Sequence, residues 1–397
     1  MRKNLLQPVL VTLLVACSGS TFAPADGGTG DTGGDAATTP AGEAGATGDG
    51  GSTASSGCSY SYSGYNSSPS VMATSTVQWT CTATTRSVTG NGIPDHAVGT
   101  FPNANCPNTI SAQSVSDTMT LFPVETGTAT PLGIGGIGYA FNGVKFDPGT
   151  AGTCTVTGST ATCSLIGDTG AWNIEALGQS SFDFGVDDNN AHVQPTGAYH
   201  YHGVPEGILT KLAKGMTPTL VGYALDGFPV YARYGYSAPM DKTSAVKVIT
   251  GSYQLKKTPD AGRPSTSMYP LGAFTQDYEY VAGSGDLDAC NGRTDVTPEF
   301  PAGLYHYYIT DTYPFIQRCM MGTATSSGGG VTGDGGGGTG GMPEAGASCT
   351  SSSSCGTNEV CCPSAQQCAG QCVPDCRIAG SCPSGLTCDT SNGVCTP

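Results

Sequence analysis

Two runs of small residues decide how much of this chain can build a core. Ser18 to Gly57 is made of Gly, Ala, Thr, Asp, Ser and Pro with hardly a large apolar side chain, and Ser326 to Ser348 contains the unbroken glycines Gly335 to Gly338. Neither can bury enough apolar surface to offset the entropy lost on ordering it. The first reads as a disordered tether over residues 17–57 and the second as a glycine-rich linker over residues 326–348. Two folding pieces remain, residues 58–325 and residues 349–397.

Ahead of the tether, residues 1–16 join a basic start, Arg2 and Lys3, to an apolar run through Val9, Leu10, Val11, Leu13, Leu14 and Val15. That is the layout of a secretory signal peptide, too short to remain as a spanning helix. Leu14-Val15-Ala16-Cys17 resembles the bacterial lipobox, which implies cleavage before Cys17, lipidation of that cysteine and a membrane anchor for the mature chain. The alternative is an ordinary secreted protein with a chance cysteine at the cleavage site. Ser18 after the cysteine, where an aspartate would signal retention, points to an exported bacterial lipoprotein of the outer membrane or cell surface.

Cysteine usage agrees with export. Of eighteen cysteines, one is Cys17, seven lie in the long piece and ten crowd into residues 349–397. That density in a module with almost no hydrophobic residues predicts disulfides, which would supply the stability its core cannot. Zinc is the weaker reading of Cys361-Cys362 and Cys376-x5-Cys382, because the module has no histidine. Nothing in it selects a protein or glycan partner. In the long piece, Cys154 to Cys163 has the look of a hairpin closed by its own bridge. Cys58 with Cys81 and Cys290 with Cys319 are the other pairings to try first, leaving Cys106 free or in competition with Cys58 or Cys81.

The formal charge is −15, and loss of a leader with two basic residues and no acid makes it −17 (−15 − 2). A chain so acidic does not hold nucleic acid by its bulk electrostatics. Eighteen tyrosines against two tryptophans suggest β-structure with amphipathic aromatic surfaces. Val71 to Thr85 is rich in Thr and Val, and Thr118-Met119-Thr120-Leu121 alternates polar with apolar before Pro123, as an edge strand would. Asn91-Gly92, Asn142-Gly143, Pro148-Gly149, Asp226-Gly227 and Asn291-Gly292 punctuate the piece, and only Glu206 to Lys214 reads as a short helix. The expected fold class is mainly β: a single β-rich domain with long loops over residues 58–325, plus a small disulfide-rich C-terminal module.

Three of the five histidines fall between Asn189 and Gly203. If Tyr199 to His202 is extended, the two-residue period puts His200 and His202 on one face of a strand. Imidazoles so placed, with His192 nearby, form a half-site for copper or zinc; the competing reading is a set of hydrogen-bonded histidines in a polar core.

Asn91 to His96 with Gly99 to Asn103, then Phe141 to Phe146, Trp172 to Leu177, the histidine stretch, Gly222 to Tyr231, Asp277 to Asp288 and Tyr305 to Cys319 together resemble the YHYH-domain proteins. The resemblance spans nearly all of the long piece and neither linker nor tail. It implies an exported bacterial protein and no established activity. One departure is Ala289 before Cys290, where the family pattern usually has an acid; a ligand or base at that place would be missing here. Cys106 is also extra to the pattern.

Every histidine, including His96 and His306, lies in a matched block. Gly303-Leu304-Tyr305-His306-Tyr307 repeats the pattern of Gly197-Ala198-Tyr199-His200-Tyr201, so the two strands are expected side by side with their histidines in one site. Asp187, Asp188, Asp226, Asp286 and Asp288 are candidates to hold the imidazoles, though each is also an ordinary turn residue. Asp187 to Asn190 and Asp286 to Asp288 offer oxygen ligands for calcium, without the spacing of an EF-hand. A metal-dependent hydrolase, with Glu175 or His96 as proton acceptor, is the enzyme alternative. No nucleophile elbow or His-Glu-x-x-His helix supports it, and Gly133 to Gly138 lacks the lysine of a phosphate loop. Adhesion or glycan binding through exposed aromatic side chains, without metal, is the third class. Trp172 argues against it, since Trp172 to Leu177 reads as core.

Overall fold

The computed structural model describes residues 58–324 except 133, 134 and 168, together with four short strands near the C-terminus. Cys17, the tether, the linker and most of the cysteine-rich module lie outside the described residues. Four antiparallel strands come first, hydrogen-bonded in chain order: β1 (Ser59–Asn66), β2 (Ala73–Cys81), β3 (Thr85–Gly90) and β4 (Val115–Thr120). Their burial alternates with the two-residue period of a strand, turning Val77, Trp79, Val88 and Met119 inward. Strand β4 is at the edge, as the interruption by Pro123 suggests.

The chain continues through β5 (Thr130–Pro131), β6 (Gly138–Ala140) and β7 (Lys145–Phe146). A three-stranded ribbon follows, β8 (Thr153–Thr157), β9 (Thr160–Ser164) and β10 (Trp172–Asn173). Next come β11 (Ala191–Val193), β12 (Tyr199–Tyr201), the helix α1 (Glu206–Leu212), β13 (Thr219–Ala224) and β14 (Pro229–Ala232). Two small ribbons pair β15 (Tyr234–Tyr236) with β16 (Val246–Val248) and β17 (Tyr253–Leu255) with β18 (Tyr278–Tyr280). Strands β19 (Gly292–Asp295), β20 (Leu304–Ile309) and β21 (Cys319–Met320) close the region, β21 pairing with β5. In the tail, β22 (Glu359–Cys361) pairs with β23 (Cys372–Pro374) and β24 (Thr387–Asp389) with β25 (Val394–Thr396). The protein is mainly β.

The central feature is an eight-stranded mixed sheet in the order β11-β12-β7-β6-β13-β14-β20-β19. Its inner strands are covered on both faces: every residue of β13 and β14 is buried, which suits a sequence that after Thr219 is apolar and aromatic. The four-stranded sheet packs on its middle. Trp79 stands 6.0 Å from Tyr223 and 5.8 Å from Phe141, and its indole nitrogen donates to the Phe141 carbonyl at 3.0 Å. A second, smaller core gathers Cys154, Ile174, Phe184, Ala273 and Phe274, with Trp172 packed against it.

The tyrosines differ from their expected use as surface aromatics. Tyr199, Tyr201, Tyr223, Tyr231, Tyr307 and Tyr308 are fully buried. Their hydroxyls need acceptors there, and carboxylates supply several, as in Tyr139 to Asp117 at 2.5 Å and Tyr199 to Asp187 at 2.7 Å. Disulfides join Cys58 to Cys81, Cys154 to Cys163 and Cys290 to Cys319, and Cys106 is a buried free thiol directed at the Val193 carbonyl.

Candidate metal centre

Strands β11 and β12 form a hairpin whose register sets Ala191 against Tyr201, His192 against His200 and Val193 against Tyr199. The turn between them closes through the Gly197 amide on the Gln194 carbonyl at 2.8 Å, with Gly197 at φ 85°, a conformation that other residues adopt with strain. Alternation along β12 carries His200 and the next-but-one His202 to the same face, and the register brings His192 to them. The three rings form a nearly equilateral triangle, with centroids 4.6, 4.7 and 4.9 Å apart. One nitrogen from each lies within 4.8 Å of the others.

The backbone sets the tautomers. His192 Nδ1 is 2.9 Å from the Phe184 carbonyl and His200 Nδ1 is 3.2 Å from the Ala198 carbonyl, so each Nδ1 carries the proton and each Nε2 presents a lone pair. His202 Nε2 faces His192 Nε2 at 3.2 Å. Two nitrogens bound to one tetrahedral zinc at about 2.0–2.1 Å stand about 3.3 Å apart. Burial, the largest influence, pushes all three imidazoles below the usual histidine range, His200 and His202 furthest, and the nearby Lys145 ammonium adds to the effect. The site therefore presents neutral imidazoles at ordinary pH, the form that coordinates.

Beside the cluster stands a group that its sequence pattern does not announce. Lys145, the register partner of His200 in β7, is buried and donates to Asp147 and Gln194 at 2.9 Å each, while Gln194 donates to Asp147 at 3.1 Å. The second carboxylate oxygen of Asp147 is buried without a hydrogen bond. The available signal was a lone lysine between Val144 and Phe146, in a strand otherwise apolar.

His306 and His96 do not join this cluster. Strand β20 is not the neighbour of β12: β7, β6, β13 and β14 come between them, about 24 Å at ordinary strand spacing. His306 instead faces Asp295 at 3.2 Å, and burial pushes its imidazole down to about 4 against the opposing pull of Asp295. His96 Nε2 meets the Tyr201 hydroxyl at 2.6 Å and its Nδ1 the Ala97 carbonyl at 2.8 Å.

The acids have other partners too, since a buried carboxylate needs donors around it. Asp187 accepts from Tyr199 and the Gly99 amide, and Asp226 from Tyr307 and the Gly322 amide. Asp288 accepts from Tyr305 and two backbone amides, while Asp286 is taken by Lys247 and Thr250. Glu175 is bound by Arg318 and Thr275, and Asp188 is exposed. None of them hydrogen-bonds an imidazole of the cluster; backbone carbonyls hold those of His192 and His200. Among the described residues the three histidines are the one group of three or more His, Cys, Asp or Glu side chains with metal-ligand spacing, and neither Asp187 nor Asp286 belongs to such a group.

The family described as YHYH protein matches residues 116–322, just over half of the chain. The match begins in β4, so the blocks at Asn91 to His96 and Gly99 to Asn103 lie outside it. No curated protein and no solved structure matches.

Proposed function

The chain belongs to the YHYH protein family, and from that premise we propose that His192, His200 and His202 form a transition-metal site, for zinc or copper, on an exported lipoprotein of the bacterial cell surface anchored through Cys17. The observation that carries the site is the convergence of three buried or half-buried imidazoles within 4.8 Å, two of them with the Nδ1 proton held by a backbone carbonyl. Three imidazoles leave a position for an exchangeable ligand, whereas four would close the site. Imidazole donors favour zinc and copper over calcium or magnesium.

Binding is preferred to hydrolysis. The proton acceptors considered for a metal-bound water, Glu175 and His96, are both engaged, one by Arg318 and the other by Tyr201. Adhesion through aromatic side chains is disfavoured because half of the tyrosines are buried and only Tyr65 and Tyr280 are exposed. The test is elemental mass spectrometry on the full chain exported into an oxidising compartment, beside the variant His200→Ala/His202→Ala. About one equivalent of zinc or copper per chain, lost in the variant, is expected. A folded chain that takes up neither metal on incubation overturns the proposal.

A further inference from the structure

Read outward from its middle, the eight-stranded sheet repeats itself. One half runs β6, β7, β12, β11 and the other β13, β14, β20, β19. In each, the first two strands are an antiparallel hairpin, the next join is parallel and the last antiparallel. The halves meet at an antiparallel seam in which Tyr139 faces Tyr223, Gly138 faces Ala224 and Ala140 faces Gly222. That register is unchanged when the two strands are exchanged, so a local two-fold passes between the tyrosines.

The sequence follows the same rule. Gly138-Tyr139-Ala140-Phe141-Asn142-Gly143 corresponds to Gly222-Tyr223-Ala224-Leu225-Asp226-Gly227, with Gly143 and Gly227 both at positive φ, 79° and 90°. Asn190 and Asn291, in left-handed conformations at φ 54° and 60°, precede β11 and β19. Side-chain bonds correspond as well. Tyr201 meets Asn142 at 2.9 Å as Tyr307 meets Asp226 at 2.5 Å, and Tyr199 meets Asp187 at 2.7 Å as Tyr305 meets Asp288 at 2.9 Å. His200 and His306 each point Nδ1 at the carbonyl two residues back. Chance does not reproduce a topology, a register and its hydrogen bonds together.

From this correspondence we infer that the sheet is an internal duplication whose second half holds the counterpart of the three-imidazole cluster, with the guanidinium of Arg293 as its resident cation in place of a metal ion. The equivalences are fixed by register: Arg293 pairs with His306 as His192 pairs with His200, and Tyr308 follows His306 by two as His202 follows His200. Asp295, in the place of Gln194, accepts from Arg293 Nε at 2.7 Å and from the Tyr308 hydroxyl at 3.0 Å. Its other oxygen and His306 Nε2 face each other at 3.2 Å, fully buried and without hydrogen bonds. Two acceptors so placed need a positive charge nearby, and the guanidinium supplies it. The guanidinium is anchored from outside the half as well, donating from Nη2 to the Tyr236 carbonyl at 2.8 Å, and the chain binds one metal ion where its symmetry has room for two.

Only the metal count rests on the proposed function, and two variants of the full chain separate the questions. His192→Arg/Gln194→Asp/His202→Tyr copies the second half's set into the first. It is expected to fold, to unfold within about 5 °C of the metal-free wild type, and to bind no metal. If it fails to fold while His192→Ala/His202→Ala folds, the positions are not counterparts and the inference falls. Arg293→His/Tyr308→His is the reverse transfer, expected to raise zinc content by one equivalent and to double the cobalt d–d absorption. A folded variant with unchanged content also overturns the inference. Should the wild type bind no metal, the functional proposal fails by itself, and the first transfer, scored by folding alone, still decides the duplication.

Discussion

At Gly138 and Gly222 the seam leaves no room for a side chain. A Cβ on Gly222 would run into the Tyr139 carbonyl oxygen and come within 2.8 Å of Ala140 Cα, and one on Gly138 would meet the Tyr223 carbonyl oxygen and stand 2.7 Å from Ala224 Cα. Backbone in a covered sheet cannot yield, so Gly138→Ala and Gly222→Ala should each cost about 3 kcal/mol or more in urea unfolding. Gly158→Ala is the contrast: it faces open space at φ 63° and should cost only about 1 kcal/mol. The histidines supply a second residue-scale expectation. Burial holds all five below their ordinary value, His306 at about 4, so the folded state keeps them neutral while the unfolded chain takes up protons near pH 6.5. Their contribution is complete above about pH 6.5 and declines as pH falls towards 4. For His306 alone the loss between pH 7 and pH 5 is about 2 kcal/mol, and a denaturant midpoint that does not fall over this range would contradict the burial. His200 and His202 were legible as a pair because a strand has a period of two. The partners of the acids were not, since the tyrosine that each carboxylate meets lies anywhere from 12 to 81 residues away.

Hairpins were the elements easiest to foresee. Asn142-Gly143 and Asp226-Gly227 are the turns of β6-β7 and β13-β14, and Cys154 and Cys163 are register partners across β8-β9. The parallel joins β7-β12 and β14-β20 were not foreseen, because no local signal marks which distant strand will align. Hence the likeness of the Tyr-His-Tyr runs suggested neighbours, when each run in fact occupies the same place in a different half. The Cys290–Cys319 bridge fastens the start of β19 to β21 over a separation of 29 residues. Replacing both cysteines by serine should destabilise the domain by about 3 kcal/mol, read as a lower urea midpoint. Loss of Cys154–Cys163, which closes only 9 residues, should cost less.

For the whole molecule the expectation that matters is attachment. If Cys17 carries lipid, the chain should incorporate labelled palmitate in a bacterial host and partition into detergent, and Cys17→Ser should abolish both. Labelling that survives Cys17→Ser would remove the anchor from that position. The sheet itself has a temporal consequence. Strands β6, β7, β11 and β12 all precede residue 202, whereas β13 and its companions all follow residue 218. A chain threaded through a translocase from its N-terminus would therefore deliver all four strands of the first half before any strand of the second has emerged. If the chain is exported as proposed, the hairpin that carries the three histidines can be assembled, and exposed to whatever ions the compartment offers, while the half that will cover its seam is still on the other side of the membrane.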